Sequence, residues 1–327
     1  MFITKRPLRG EINYYLDYSL TLDSLKKHYM EFVGPKLDER KLLEQYNKLI
    51  TKITLDRTKH IFSNYKPTLK ESEIYRLEEI RTKLDILKKV LPESYNSYKE
   101  DEFIKYAQGT SAVEGNSINL QEAKEILEKG VSISGHSIRD VKEVENIGKV
   151  RIYLDKRKEI TEAVLLKAHA ILLEGFKNKT PGEYRDVPMF ITASKVKPIH
   201  ESKIKDEIKK VFQYYENNKN NLYPIDLASE LHVWFEYIHP FNDGNGRIGR
   251  ELLNFILLKN KFPRVIINMK NRLSYINTLE TLQLDKNYKK FAHYIYLQLD
   301  NQFKELDEII KNSEKTIIKI LIKNLDK

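Results

Sequence analysis

The chain has 327 residues, 57 of them Lys or Arg and 47 Asp or Glu, for a formal net charge of +10, and it contains no cysteine. That length suggests one large domain or two ordinary ones, and the missing cysteine excludes a disulfide framework, a thiolate nucleophile and Cys-ligated zinc or iron–sulfur sites. With 41% hydrophobic and 32% charged residues, no apolar run near the ~18 residues of a spanning helix and no signal-peptide pattern in MFITKRPLRG, a soluble cytoplasmic protein is expected, and the charge hints at an anionic partner.

In chain order, Tyr14, Leu16, Tyr18 and Leu20 alternate onto one face, and Tyr29 to Val33 runs into Gly34-Pro35. A short β-hairpin is predicted there. From Asp38 to Tyr95 the spacing turns helical, through Leu42, Tyr46, Leu49 and then Ile74, Leu77, Ile80, Leu84, until Leu91-Pro92 breaks the run. These two helices carry few chemical groups and read as an interaction arm. Beyond Asp101 the pattern is all-helical. A short helix over Phe103 to Val113 is followed by one opened by an Asn119/Glu122 capping box and closed at Gly130. Further helices are predicted over 138–154, 161–173, 204–215, 225–238, 250–260 and 289–299, with a β-hairpin over Tyr184 to Pro198. The tail from Phe303 to Leu325 is amphipathic and packs either on the body or on a second copy of the chain.

One stretch concentrates chemistry: His239-Pro240-Phe241-Asn242-Asp243-Gly244-Asn245-Gly246-Arg247-Ile248-Gly249-Arg250. It lies between two apolar helices. Gly244 and Gly246 permit positive φ and close approach to bare N–H groups, and such a turn entering a helix makes an anion nest. Arg247 and Arg250, three residues apart, add two cations near the helix start. Asp243 is a hard oxygen ligand suited to Mg²⁺, and His239 is the one group in the loop able to accept a proton near neutral pH. Together these are the parts of a phosphoryl or nucleotidyl transfer site. Singly, the histidine reads as a cap, the glycines as turn formers, the arginines as a solvated face and Phe241 as a core anchor.

The stretch resembles the signature HPFxDGNGRxxR of the Fic (filamentation induced by cAMP) family and matches it at every defining position. The resemblance implies a protein adenylyltransferase: His239 takes a proton from a target hydroxyl, whose oxygen attacks the α-phosphorus of ATP. It also gives Asp243 the Mg²⁺, Gly244, Asn245, Gly246 and Arg247 the phosphates, and Arg250 the γ-phosphate. Thr110-Ser111-Ala112-Val113-Glu114-Gly115 resembles the family's inhibitory motif, placed before the catalytic core. In similar proteins that glutamate pairs with the second arginine, so Glu114 and Thr110 are implied to regulate Arg250; in some relatives the same glutamate helps remove AMP. The hairpin at 184–198 corresponds to the family's flap, along which a target strand would add, after a lead-in resembling Gly182-Glu183-Tyr184-Arg185. Ile191, Thr192, Ala193, Ser194 and Tyr275 fall near the expected nucleotide base, with core packing the plainer reading of Tyr275.

The implied fold is mainly α, a Fic-type helical bundle with a β-hairpin flap, preceded by an N-terminal β-hairpin and helical extension. The expected domains are 1–100, a catalytic domain over 101–299 with the inhibitory helix at about 103–115, and a C-terminal amphipathic helix over 300–327. Expected partners are target proteins, the chain itself among them, and a homodimer is compatible with the tail; neither a membrane nor a nucleic acid is expected. Two alternatives stand beside this reading. One is transfer of another phosphate-containing group by the same fold; the other is a basic nucleic-acid-binding regulator, although the lysines are scattered and no helix-turn-helix or stacking motif is present. Gly130 to Ser137 has P-loop glycine spacing without the lysine, and His232 and Glu236 form no HExxH.

Overall fold

The computed structural model describes residues 1–8, 10–22, 25–131, 133–191 and 194–326. The chain divides into two units, Met1–Glu100 with Asp300–Lys327, and Asp101–Leu299. Among the described residues there are eleven α-helices and one sheet, so the fold is mainly α. No helix among them is long and apolar enough to cross a membrane.

The first unit opens with β1 (Phe2–Leu8), β2 (Glu11–Leu22) and β3 (Leu25–Gly34), antiparallel in the order β1-β2-β3. The expected hairpin is β2 and β3; β1 is an addition to it. Its sequence FITKRPL buries only Ile3, and a mostly exposed edge strand can carry Pro7 because one side of it needs no ladder hydrogen bond. Such a strand has little hydrophobic alternation to betray it. Leu16, Tyr18 and Leu20 of β2 pack with Tyr29 and Val33 of β3 against Leu42, Tyr46, Leu49, Ile50 and Ile53 of α1 (Glu39–Asn64). Asp38 caps α1 by accepting from the Lys41 N–H at 2.9 Å. Ile86 of α2 (Glu71–Val90) and Ile317, Ile318 and Leu321 of the tail complete this core. The apolar stripe of the tail is therefore used inside its own unit.

The remaining helices lie in the second unit or run into it. Pro92 does not merely end the preceding helix: it occupies the first position of α3 (Pro92–Val113), where its missing N–H is no loss. The Asn119/Glu122 capping box opens α4 (Leu120–Lys129), and Gly130 closes it in the left-handed conformation. α5 (Ile138–Asp155), α6 (Glu162–Leu172), α7 (Ile204–Asn218), α8 (Pro224–Ile238) and α9 (Asn245–Lys259) follow. α9 begins five residues before the expected start at Arg250, because Gly244 at φ 81° turns the chain straight into it. α10 (Arg272–Leu284) has no counterpart among the predicted helices; only Tyr275, Leu279, Leu282 and Gln283 are buried, too sparse a stripe to register. The helices expected at 289–299 and 303–325 are one, α11 (Phe291–Lys323).

The expected β-hairpin at 184–198 is not formed: among the described residues this segment has no strand. Pro188 and Pro198 cannot donate to a ladder, and the carbonyls of Val187 and Ile199 are bonded instead by the Arg185 guanidinium, at 2.9 and 2.5 Å. At its far end Lys195 donates its backbone N–H to Glu280 of α10 at 2.6 Å.

Candidate active site

The loop between α8 and α9 is held from four sides. His239 caps α8 at φ 50° and ψ 60°, a left-handed conformation uncommon for a side-chain-bearing residue. Arg185, 2% exposed, keeps it there: its Nε donates to the His239 carbonyl at 2.9 Å, and its backbone N–H donates to the Pro240 carbonyl at 2.9 Å. Phe241 is fully buried and stacks on His169 of α6, ring centroids 3.7 Å apart. The Asn245 side chain turns back on the loop, accepting from the Phe241 N–H at 2.8 Å and donating to its carbonyl at 2.7 Å.

His169 bridges two segments. The Gly182 N–H donates to its Nδ1 at 3.0 Å, so Nε2 carries the hydrogen and donates to the Asp243 carbonyl at 2.9 Å. Burial lowers its pKa to about 4, which keeps it neutral and preserves this tautomer.

The charged groups of the loop are paired. Asp243 accepts from Arg247 at 3.0 Å and lies 2.6 Å from the Lys179 ammonium. Burial opposes its ionisation, but these two cations hold the carboxyl below its ordinary range. Arg247, 3% exposed, also meets Glu143 of α5 at 3.3 Å. Arg250, 2% exposed, donates from Nε to the Thr110 hydroxyl at 2.6 Å, and from Nη2 to the Thr110 carbonyl at 3.0 Å and to Glu114 Oε1 at 2.7 Å. Burial would raise the pKa of Glu114; the charge and hydrogen bond of Arg250 outweigh it and hold the carboxyl low. A Cβ at Gly246 would stand 2.5 Å from Glu114 Oε1 and 3.0 Å from Arg250 Nη1, so the bare backbone there faces the ion pair. The two arginines thus point at different carboxylates, Arg247 at Asp243 and Glu143, Arg250 at Glu114.

His239 itself is half-buried. Burial lowers its pKa to about 4, partly opposed by the Glu236 carbonyl, so the ring is neutral and able to accept a proton at pH 7. His239, Asp243, Gly244, Asn245, Gly246, Arg247, Arg250, Thr110 and Glu114 all meet at one end of α9.

The residues expected near a nucleotide base divide differently. Thr192 and Ala193 lie outside the described residues; Ile191 is half-buried, and its carbonyl accepts from the Ser194 N–H at 3.1 Å. Tyr275 is 3% exposed, as its core-packing reading expects. Its hydroxyl donates to His232 Nε2 at 2.9 Å, its ring meets Phe291 and Tyr294, and Arg250 lies over it at 5.8 Å. It backs the arginine from the interior.

Sequence reading missed His169, Lys179 and Glu143, and it treated Arg185 only as a lead-in. A single histidine or lysine 60 to 75 residues from the loop has no local pattern; only the Arg185 segment carried a signal.

The family model for the Fic/DOC family matches residues 159–257, which include α6, Arg185 and the whole loop. The chain carries a Fic/DOC-family domain. The chain is similar to protein adenylyltransferase fic-1 of Caenorhabditis elegans, 26% identical over 220 residues, 65% of this chain and 43% of that protein. Protein adenylyltransferase Fic of Nematostella vectensis is 27% identical over 275 residues, 78% of this chain and 63% of that protein. The chain therefore spans less than half the length of the first of these relatives. A Fic domain containing signaling protein from Bacteroides thetaiotaomicron shares the fold with a TM-score of 0.61 at 21% identity, over 75% of this chain and 96% of that one. A solved portion of C. elegans Fic-1 gives 0.60 at 22%, over 84% and 76%.

Proposed function

We propose that this protein transfers AMP from ATP to a hydroxyl side chain of a target protein, and that Glu114 restrains it by occupying Arg250. The observation that carries this reading is the 2.7 Å pairing of Arg250, at the anion-binding end of α9, with an acid from the turn after α3. The relatives named protein adenylyltransferases support the reaction class.

In this reading the target hydroxyl gives its proton to the neutral His239 ring. Its oxygen forms a bond to the α-phosphorus of ATP while the bond to the bridging oxygen breaks. AMP stays on the target and pyrophosphate leaves. The backbone N–H groups at the start of α9, its dipole and Arg247 stabilise phosphate charge, and Arg250 receives the γ-phosphate once Glu114 has moved. Asp243 is the residue that would hold Mg²⁺: one ionised carboxylate beside a phosphate nest is the donor set this ion uses with nucleotides. Bound there, Mg²⁺ would neutralise phosphate charge. With no strand formed over 184–198 among the described residues, a target is expected to dock there without a ready-made sheet edge.

The test is incubation of wild type and Glu114→Gly with α-labelled ATP and cell lysate, followed by mass spectrometry. Arg250 offers charge-assisted hydrogen bonds of about 1.5–3 kcal/mol, so Glu114→Gly is expected to bind ATP roughly 10- to 150-fold more tightly and to label more protein. Equal labelling would overturn the restraint, and transfer of a different group would overturn the donor.

A further inference from the structure

Glu236 lies on α8, one turn before His239, and has no part in the reaction above. It is 7% exposed, and among the described residues its Oε1 is buried without a hydrogen-bond partner. Buried polar atoms are rarely left this way. A Cβ at Gly249 would overlap this oxygen, so the carboxyl fills the space a side chain at 249 would need, beside the residue that precedes Arg250. Arg250 and Glu114 both act on it electrostatically.

Glu114 and Glu236, which both act electrostatically on Arg250, differ in placement. Glu114 stands in a turn with 37% of its side chain exposed, whereas Glu236 sits within a helix in the core. Arg250 is buried, and a buried guanidinium deprived of its counter-charge is strongly disfavoured. Glu251 has a buried unpartnered oxygen too and also feels Arg250, but Arg264 acts on it more strongly.

We propose that Glu236 is a carboxylate held in reserve for Arg250, pairing with the guanidinium when Glu114 withdraws and releasing it when a nucleotide phosphate arrives. The inference rests on the reading of Arg250 as a phosphate ligand. While Glu114 supplies the charge, burial pushes the Glu236 carboxyl up to about 8 and it remains protonated at neutral pH. With Glu114 gone and no nucleotide, it gives its proton to solvent and pairs with Arg250. A phosphate brings its own negative charge, so Glu236 takes a proton back, and ATP binding is coupled to uptake of up to about one proton.

The surrounding groups do not supply this proton. On α8, His232 is fixed neutral between the Gly249 carbonyl and the Tyr275 hydroxyl, with burial lowering it to about 3, and His239 is lowered to about 4. Tyr106 of α3 and Tyr275 of α10 are pushed well above 10 by burial, and Arg250 remains charged. Glu251, at about 7, is the other group that titrates nearby, and the variant below separates it from Glu236.

The experiment is calorimetric titration of ATP with Mg²⁺ into Glu114→Gly and into Glu114→Gly/Glu236→Gln, from pH 6.5 to 9, in buffers of different ionisation heat. Glu114→Gly is expected to take up most of a proton per ATP at pH 7.5 and to lose about tenfold in affinity between pH 6.5 and 8. Ionisation of the nucleotide's own phosphate would give the opposite sign. The double variant is expected to show neither effect and to bind ATP at least tenfold more tightly at pH 8. Tighter ATP binding by Glu114→Gly without proton uptake, or equal uptake in the double variant, overturns the role of Glu236. Failure of Glu114→Gly/Glu236→Gln to bind ATP better than wild type overturns instead the role of Arg250. The uptake measurement needs no change at residue 236, so it stands even if Glu236→Gln folds poorly.

Discussion

Replacing His169 by Phe tests whether the loop is held by a neutral histidine or merely packed around an aromatic ring. Phenylalanine keeps a ring of similar size against Phe241, preserving the stack at 3.7 Å. It removes both hydrogen bonds, leaving the Gly182 N–H and the Asp243 carbonyl without their partner. Each such group left unpaired in a partly buried place costs about 1–2 kcal/mol, for a total of roughly 2–4 kcal/mol. For a unit the size of Asp101–Leu299, that lowers the thermal midpoint by roughly 4–16 °C. The assay is thermal and urea unfolding of His169→Phe beside wild type, with AMP transfer measured well below the midpoint. Transfer should fall as well, because the Asp243 carbonyl belongs to the turn that feeds the nest. Stability within about 0.5 kcal/mol of wild type would refute the reasoning, since surface substitutions alone produce that much.

His239→Ala, made on Glu114→Gly, is expected to lose roughly 10²–10⁴-fold in transfer while keeping its ATP affinity; weakened ATP binding in calorimetry would mean the ring holds nucleotide instead. Gly249→Ala should destabilise by about 1–3 kcal/mol through overlap with Glu236 and Phe235, and should be neutral or stabilising on a Glu236→Ala background, where Ala is the better helix former; equal cost in both backgrounds would exclude the overlap as the cause. Stability should peak near pH 6.5. Below that, His169, His232 and His239, lowered to about 4, 3 and 4 in the fold, refuse protons that the unfolded chain accepts, each removing about 1.4 kcal/mol per pH unit as pH falls. Glu236 and Glu251, raised to about 8 and 7, oppose this on the acid side down to about 4.5, then remove stability as pH rises from 6.5 through those values. Urea unfolding from pH 4 to 9 measures the profile, and Glu236→Gln should flatten its alkaline arm; an unchanged arm would contradict the burial of that carboxyl.

The helices of strong amphipathic period, the Asn119 capping box and the turn at Gly244 were legible because each is a local pattern, set by residues within one or two turns of each other. The weak elements escaped for the complementary reason. β1 buries one residue and α10 only four, so the period that marks a strand or helix is too thin to see. At 184–198 the residue composition suited strands, yet Arg185 satisfied the carbonyls a ladder would have used.

By itself the sequence determined the chemical parts of the loop from His239 to Arg250, since their types and spacing lie within twelve residues. Tertiary structure decided what each part faces. Asn245 turns inward to brace Phe241, Tyr275 backs Arg250 from the core, and His169, Lys179 and Arg185 arrive from 54 to 74 residues away. Those contacts depend on how helices pack, which short-range periodicity does not encode. The positive charge counted at the outset follows the same division: within the site, Arg247 and Arg250 are already met by Asp243, Glu143 and Glu114. A charge total cannot show that pairing, because an ion pair is a matter of distance and burial.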